Sequence, residues 1–192
     1  FRSCSALGFL HGRGVLHLDI KPDNILLPRG LDAPVLVDLG VAGRIGKRGA
    51  GGFTPGMAPP EQERGDVCTV ASDLYQVAAT GLWSTTGAAP PDATTRRSDG
   101  DLGAGFALLE AKAPGLAAVL AAALRLQEAT RPRSAGALDA ALAGCVLNAG
   151  SGAGSPASSP PLAVSHAIQP SPGAPAGTPL GTAPRARWDI RR

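Results

Sequence analysis

Aromatic side chains are scarce: four Phe, two Trp and one Tyr make up 4% of 192 residues. Ring packing therefore cannot build the core, which has to rest on Leu and Val, since Ala and Gly bury little apolar area each. Cysteine is equally sparse. Cys4, Cys68 and Cys145 are odd in number, far apart and free of any CxxC pair. This spacing points to neither a zinc site nor a disulfide framework, and a reducing cytoplasm is the expected location. Long apolar runs are missing too. The longest, Gly115 to Leu124, is about half of the ~20 residues that a membrane-spanning helix needs, so no membrane span is expected in this chain. The opening FRSCSALGFLHGRG lacks the apolar core of a signal peptide and an initiator Met, and reads like the interior of a helix.

Acidic residues are not lacking in the body, and this bears on partners. Of the eighteen Lys and Arg, four lie at 185, 187, 191 and 192, which leaves fourteen up to residue 147 against fourteen Asp and Glu there. A neutral body argues against a nucleic-acid-binding face. The excess of +3 sits in the C-terminal stretch, where Asp189 is the lone acid.

What is present divides the chain in two. Ala6, Leu7, Phe9 and Leu10 recur at helical spacing, and Gly12 and Gly14 end that helix. Val15–Leu18 and Ile25–Leu27 read as short strands flanking HLDIKPDN (17–24), and Val35–Val37 as another ending at Asp38. Residues 40–56 are glycine-rich and basic and read as a loop, with Arg44, Lys47 and Arg48 solvated. Ser72 is the expected N-cap of a helix to about Leu82, followed by a long connection over 84–101. Leu102–Lys112 and Leu116–Leu126 are helical patterns split by Pro114, and Ser134 caps a last helix through Leu138 and Leu142. From about Asn148 the composition turns to Gly, Ser, Ala and Pro without periodicity. Residues 148–192 are therefore expected to be disordered, because such a segment cannot bury enough apolar surface to offset its ordering entropy.

Three motifs carry the chemistry. Asp19 stands in HLD with Lys21 and Asn24 two and five residues on; Asp38 opens DLG; Thr54 precedes the Pro59-Pro60-Glu61 triplet. In this order and spacing the chain resembles the C-terminal lobe of eukaryotic-type serine/threonine protein kinases over about residues 3–146. The resemblance implies a mainly α fold: a protein-kinase-like large lobe over residues 1–147, with short β-hairpins carrying the catalytic and metal-binding loops. It implies ATP and Mg²⁺ as cofactors and a protein substrate with a Ser or Thr hydroxyl, while the oligomeric state is left open. Asp19 would orient the attacking hydroxyl, and Lys21 would neutralise the transferring phosphoryl and contact the nucleotide. Asn24 and Asp38 would hold Mg²⁺, whose preference is for hard oxygen ligands. Leu26 would lie under the adenine. Lys21 and Thr54 match the markers of the serine/threonine branch. Each of these residues is expected on or beside a short strand that fixes its direction.

The resemblance also implies that Glu61 pairs with Arg131, that Asp73 braces the catalytic loop through its backbone N–H groups, and that His17 is a packed core residue. His11 and His166 have no sequence partner and read as surface residues. Departures are equally informative. Leu18 stands where the family has the Arg that reads an activation-loop phosphate, and Thr54 is the only hydroxyl side chain between Asp38 and Glu61. The expectation is a segment not switched by its own phosphorylation. Within this sequence no glycine-rich phosphate loop, strand Lys or helix Glu stands ahead of the HLD motif, so the small lobe is expected to be absent from this polypeptide, which is expected to be inactive alone, with an apolar surface exposed. The competing reading is a pseudokinase or other non-catalytic interaction module that keeps the fold. Phosphorylation of small molecules on a related fold fits Thr54, Glu61 and Arg131 less well.

Overall fold

The computed structural model of the protein describes residues 3–29, 33–48 and 52–150. Of the stretch 148–192 expected to be disordered, 148–150 are helical, because they continue the last helix, and the rest, His166 included, lies outside the described residues. In order, the elements are α1 (Ser3–His11), β1 (Val15–Leu16), a 3₁₀ turn (Pro22–Asn24), β2 (Ile25–Leu26), β3 (Val35–Leu36) and β4 (Gly43–Arg44). Then follow α2 (Pro60–Glu63), α3 (Val70–Thr86), α4 (Gly103–Lys112), α5 (Pro114–Ala123), a 3₁₀ turn (Glu128–Thr130) and α6 (Ala135–Gly150). The fold is mainly α, as expected, with two antiparallel two-stranded ribbons, β1 with β4 and β2 with β3.

The centre is α3. Its residues from Ser72 to Leu82 are all buried, the signature of a helix surrounded on every side. Leu74, Val77, Ala78 and Leu82 meet Leu120 and Leu124 from α5 and its end, Leu138 and Leu142 of α6, and Cys4 and Leu7 of α1. Burying each such Leu contributes about 1.5–3 kcal/mol. Tyr75 is wholly buried. Its ring faces the Arg131 guanidinium at 5.0 Å and its hydroxyl accepts from Arg96 Nη1 at 3.2 Å. Arg96 also donates to Leu124 O and Asp99 O, each at 2.8 Å, which ties the long connection to the core.

Several boundaries differ from the sequence expectation for local reasons. Thr69, not Ser72, is the N-cap of α3. Its hydroxyl accepts from Ala71 N–H, while Ser72 reaches back to Thr69 N–H in a capping box. The helix runs on to Thr86 and stops at Gly87 in the left-handed conformation. In α1 the inward face is Cys4 and Leu7, and Phe9 is 59% exposed because it lies about 200° round the helix from Leu7. Ser134 does cap α6, accepting from Ala137 N–H at 3.1 Å.

The largest difference falls in 40–56, read as loop throughout. Gly43 and Arg44 form β4 opposite Leu16 and Val15. Gly43 suits that place because a Cβ there would stand 3.2 Å from Leu18 Cδ1. No helix among the described residues is long and apolar enough to cross a membrane.

Candidate active site

The segment 17–24 follows β1 and is built by its backbone bonds to α3. Asp73 Oδ2 accepts from His17 N–H and Oδ1 from Leu18 N–H, both at 2.9 Å. Gln76 Oε1 accepts from Ile20 N–H at 2.9 Å and its amide donates to Leu18 O at 2.9 Å. Thr80 donates to Ile20 O at 3.1 Å. Residues 73, 76 and 80 share one face of a helix by their spacing, so α3 presents a polar stripe to an otherwise unpaired loop backbone. Gln62 of α2 completes it, donating to Leu18 O at 2.8 Å and accepting from Gln76 at 2.8 Å.

For Asp19 and Lys21 this stripe corrects the expectation that a short strand aims them, whereas Leu26 lies on β2, Asn24 directly before it and Asp38 just beyond β3. Asp19 and Lys21 lie three and five residues beyond the end of β1, and side chains of α3 and α2 hold the loop. His11 also departs from its expected surface position. Its Nε2 lies 2.8 Å from Asp73 Oδ2, with 9% of the side chain exposed. His17 is fully buried, and its Nε2 lies 3.1 Å from Val37 O.

Four of the six sequence-nominated residues meet at one carboxylate. Thr54 Oγ1 donates to Asp19 Oδ1 at 2.9 Å, Lys21 Nζ lies 2.9 Å from Asp19 Oδ2, and Asn24 Nδ2 donates to Asp19 Oδ2 at 3.0 Å and Asp19 O at 2.8 Å. Lys21 Nζ also reaches Thr54 Oγ1 at 3.4 Å. Burial raises the Asp19 pKa, but the hydrogen bonds from Lys21 and Thr54, the Lys21 charge and the Asn24 amide outweigh it and hold the carboxyl below its ordinary value. Asp19 is thus an ionised, oriented acceptor at neutral pH.

Asp38 and Leu26 stand apart from this cluster. Asp38 is exposed, follows β3 in the left-handed conformation (φ 64°), and accepts from Gly40 N–H at 3.0 Å. It is linked to Asn24 through the backbone, since Val37 N–H donates to Asn24 O at 3.0 Å. With both Nδ2 bonds of Asn24 spent on Asp19, its Oδ1 takes no bond from any described residue, nor does Asp38 Oδ2. Two hard oxygens are thereby left open, a donor set that suits Mg²⁺, which commonly takes one or two protein ligands and completes its shell with phosphate and water. Leu26 is 49% exposed on β2, opposite Val35 (38%) and next to Leu27 (80%), and Leu39, beyond β3, is 53% exposed.

The α2 segment is locked from below. Arg131 Nη1 and Nη2 donate to Glu61 Oε1 and Oε2 at 2.7 and 3.0 Å, and Ser72 donates to Glu61 Oε1 at 2.8 Å. Glu63 accepts from Ala93 and Thr94 N–H at 2.9 and 2.8 Å. Leu18, with φ 63°, is 2% exposed and packs with Leu16 and Cys68, against which Val41 and Val70 also lie. The position that the resemblance assigns to a phosphate-reading Arg is therefore filled by an apolar plug. Gln62, Gln76 and Thr80 were not singled out in the sequence. The signal available was a set of polar residues at 73, 76 and 80 inside an apolar helix.

No family model matches the chain. Among curated proteins, it is 36% identical over 94 residues to serine/threonine-protein kinase F of Synechocystis, covering 45% of this chain and 19% of that one. It is 33% identical over 168 residues to serine/threonine-protein kinase pkn3 of Myxococcus xanthus, covering 72% and 29%. It is 41% identical over 75 residues to serine/threonine-protein kinase PknG of Mycobacterium leprae, covering 39% and 9%. Among solved structures, the PknI kinase domain of Mycobacterium tuberculosis superposes with a TM-score of 0.58 at 27% identity, covering 74% of this chain and 52% of that one. PpkA-294 in its apo form gives 0.58 at 25%, covering 73% and 51%. The chain thus spans less than a third of each of these curated relatives and about half of each solved chain. The order of the motifs, the cluster on Asp19 and these likenesses agree: the chain belongs to the serine/threonine protein kinase family and carries that family's C-terminal-lobe pattern.

Proposed function

We propose that this chain is the catalytic-loop-bearing lobe of a cytoplasmic enzyme that transfers the ATP γ-phosphoryl group to a Ser or Thr hydroxyl of a protein. The observation that carries the reading is the convergence of Thr54, Lys21 and Asn24 on the two oxygens of Asp19. An incoming hydroxyl would take the place that Thr54 Oγ1 marks, donating to Asp19 and lying within reach of the Lys21 ammonium. Asp19, held ionised, would align that hydroxyl and accept its proton as the new O–P bond forms. Lys21 would offset negative charge on the transferring group. Asn24 Oδ1 and Asp38 would hold Mg²⁺, which when bound neutralises phosphate charge. The exposed Leu26, Leu27, Val35 and Leu39 would supply the apolar surface on which the adenine rests and a second lobe closes.

The reading is tested on the full-length product of the gene. With Mg²⁺ and γ-labelled ATP, label should enter protein Ser and Thr. Asp19→Asn should cut the rate by about 100-fold or more, the scale of a positioned general base. Equal labelling by both forms would remove Asp19 from this role, and no labelling by either would favour the non-catalytic module.

A further inference from the structure

Between Val41 and Phe53 the chain has three cations, Arg44, Lys47 and Arg48, and no acid. The structure does not leave this stretch hanging in solvent. Ile45 N–H donates to Gly14 O at 3.0 Å, Gly46 N–H to Cys68 O at 3.2 Å, and Cys68 N–H to Lys47 O at 3.2 Å. Residues 44–48 are thereby laid beside 67–68, at the start of α3. A cavity of about 530 Å³ opens there, lined among others by Ile45, Val70, Ala129, Pro132 and Arg133. That size falls within the ~300–1,000 Å³ range of ligand pockets.

The lining is mostly apolar and includes the acid Glu128, which is outnumbered by the exposed cations Arg133, in the lining, and Arg44 and Lys47, on either side of Ile45 in the chain. Arg131 in the lining is neutralised by Glu61, and Glu128 receives the Thr69 hydroxyl. Arg48 is occupied by Gly65 O at 3.0 Å. Arg44, Lys47 and Arg133 are exposed, and among the described residues no ion pair or hydrogen bond engages their side chains. Apolar volume with unspent cations beside it fits a ligand that brings both apolar groups and carboxylates.

We propose that this cavity docks an acidic peptide segment of a partner protein, with one or two aliphatic or aromatic side chains inside and carboxylates on Arg44, Lys47 and Arg133. Charge sign separates this occupant from the chain's own C-terminal stretch, where four arginines face a single aspartate. A nucleic acid would satisfy the cations and leave the apolar lining unused. The site is separate from the Asp19 cluster, so binding is read without turnover and its failure would leave the kinase reading untouched.

The test is fluorescence anisotropy of the full chain with a positional-scanning set of fluorescein-labelled dodecapeptides that combine Asp and Glu with Leu and Phe. Control peptides carry Ser for the apolar residues or Lys for the acids, and a twelve-nucleotide single strand is run beside them. Acidic–apolar peptides should bind, with at least tenfold weaker binding by either control. Two surface variants should each weaken binding tenfold or more while leaving the circular dichroism spectrum unchanged: the triple Arg44→Glu, Lys47→Glu, Arg133→Glu, and Ala129→Trp, which fills the cavity. The proposal is overturned if no peptide of the set binds, if the Ser-substituted peptide or the oligonucleotide binds as well, or if Ala129→Trp leaves affinity unaltered.

Discussion

Arg131 grips Glu61 through two parallel N–H···O bonds of 2.7 and 3.0 Å across seventy residues of chain. Both side chains are nearly inaccessible, at 0% and 6% exposure. Arg131 also donates to Arg125 O at 2.7 Å and Leu126 O at 3.1 Å, so one guanidinium joins α2 to the chain ahead of α6. Removing it by Arg131→Met strands a buried carboxylate, and stability should fall by about 3–5 kcal/mol. In urea unfolding, the double variant Glu61→Gln, Arg131→Met should be more stable than Arg131→Met alone. No recovery in the double variant would mean that the backbone bonds of Arg131, not the ion pair, carry the effect.

Gln76 is expected to matter more than its lack of reactive chemistry suggests. Gln76→Leu removes the partner of Ile20 N–H and one of two donors to Leu18 O. A buried donor left unmade costs about 1–3 kcal/mol. Hydrogen exchange at the Ile20 amide should speed by at least tenfold even in conditions where the rest of the core stays protected. Unchanged protection there would show that the loop is held by other means.

Leu18 provides a test of switching. Leu18→Arg places a charge where Leu16 and Cys68 now pack, and burying it unpaired should destabilise the lobe by about 3 kcal/mol or more. It should not confer phosphate dependence, since Thr54 is the sole hydroxyl side chain from residue 39 to 60. Phosphatase treatment of the active enzyme should leave its rate unchanged, and a phosphate on Thr54 that raises activity would contradict this.

At high pH the buried Cys4 thiol sets a slope. Burial first, and the Asp139 charge second, push its pKa from 9.0 up to about 11. The unfolded chain loses this proton near 9 and the folded chain near 11, so the folded state binds more protons between them. Stability should therefore decline from about pH 9 to about pH 11, by on the order of 1–3 kcal/mol. Cys4→Ala should flatten that limb of the pH profile. An unaltered slope would assign it to other groups.

At low pH the sign reverses at Asp19. Its folded-state pKa lies below the ordinary value near 3.8, so the stability it contributes is present above that value and is lost as pH falls through the folded-state value. Asp19→Asn should show a shallower acid limb in chemical denaturation followed between pH 5 and 2. An identical limb would show that Asp19 gains nothing from its three partners on folding.

The candidate site residues were nominated because phosphoryl transfer demands particular side chains at fixed intervals, and of these the fold brings Asp19, Lys21, Asn24 and Thr54 to one carboxylate while Asp38 stands apart. The Glu61–Arg131 and Asp73 contacts were legible only through the family pattern, since nothing near either residue announces a partner some 55 to 70 positions away. Gln62, Gln76 and Thr80 were not legible: a polar residue in a helix reads as solvent-facing unless its target is known. Ser72 was nominated as a cap because its type fits. Thr69, three residues earlier, fits equally, and the capping box uses both. β4 was missed because the pattern for strands relies on β-branched and aromatic residues, whereas Gly43 and Arg44 are paired through close approach to Leu18.

The supports beneath Asp19 end on main-chain atoms. Asp73, Gln76 and Thr80 seize the amides and carbonyls of positions 17 to 20, groups that every residue there would offer. Neighbouring positions can consequently drift in identity without carrying the central carboxylate off its bearing. Leu18 can thus stand where the resemblance places an Arg while the carboxylate of Asp19 keeps all three of its partners.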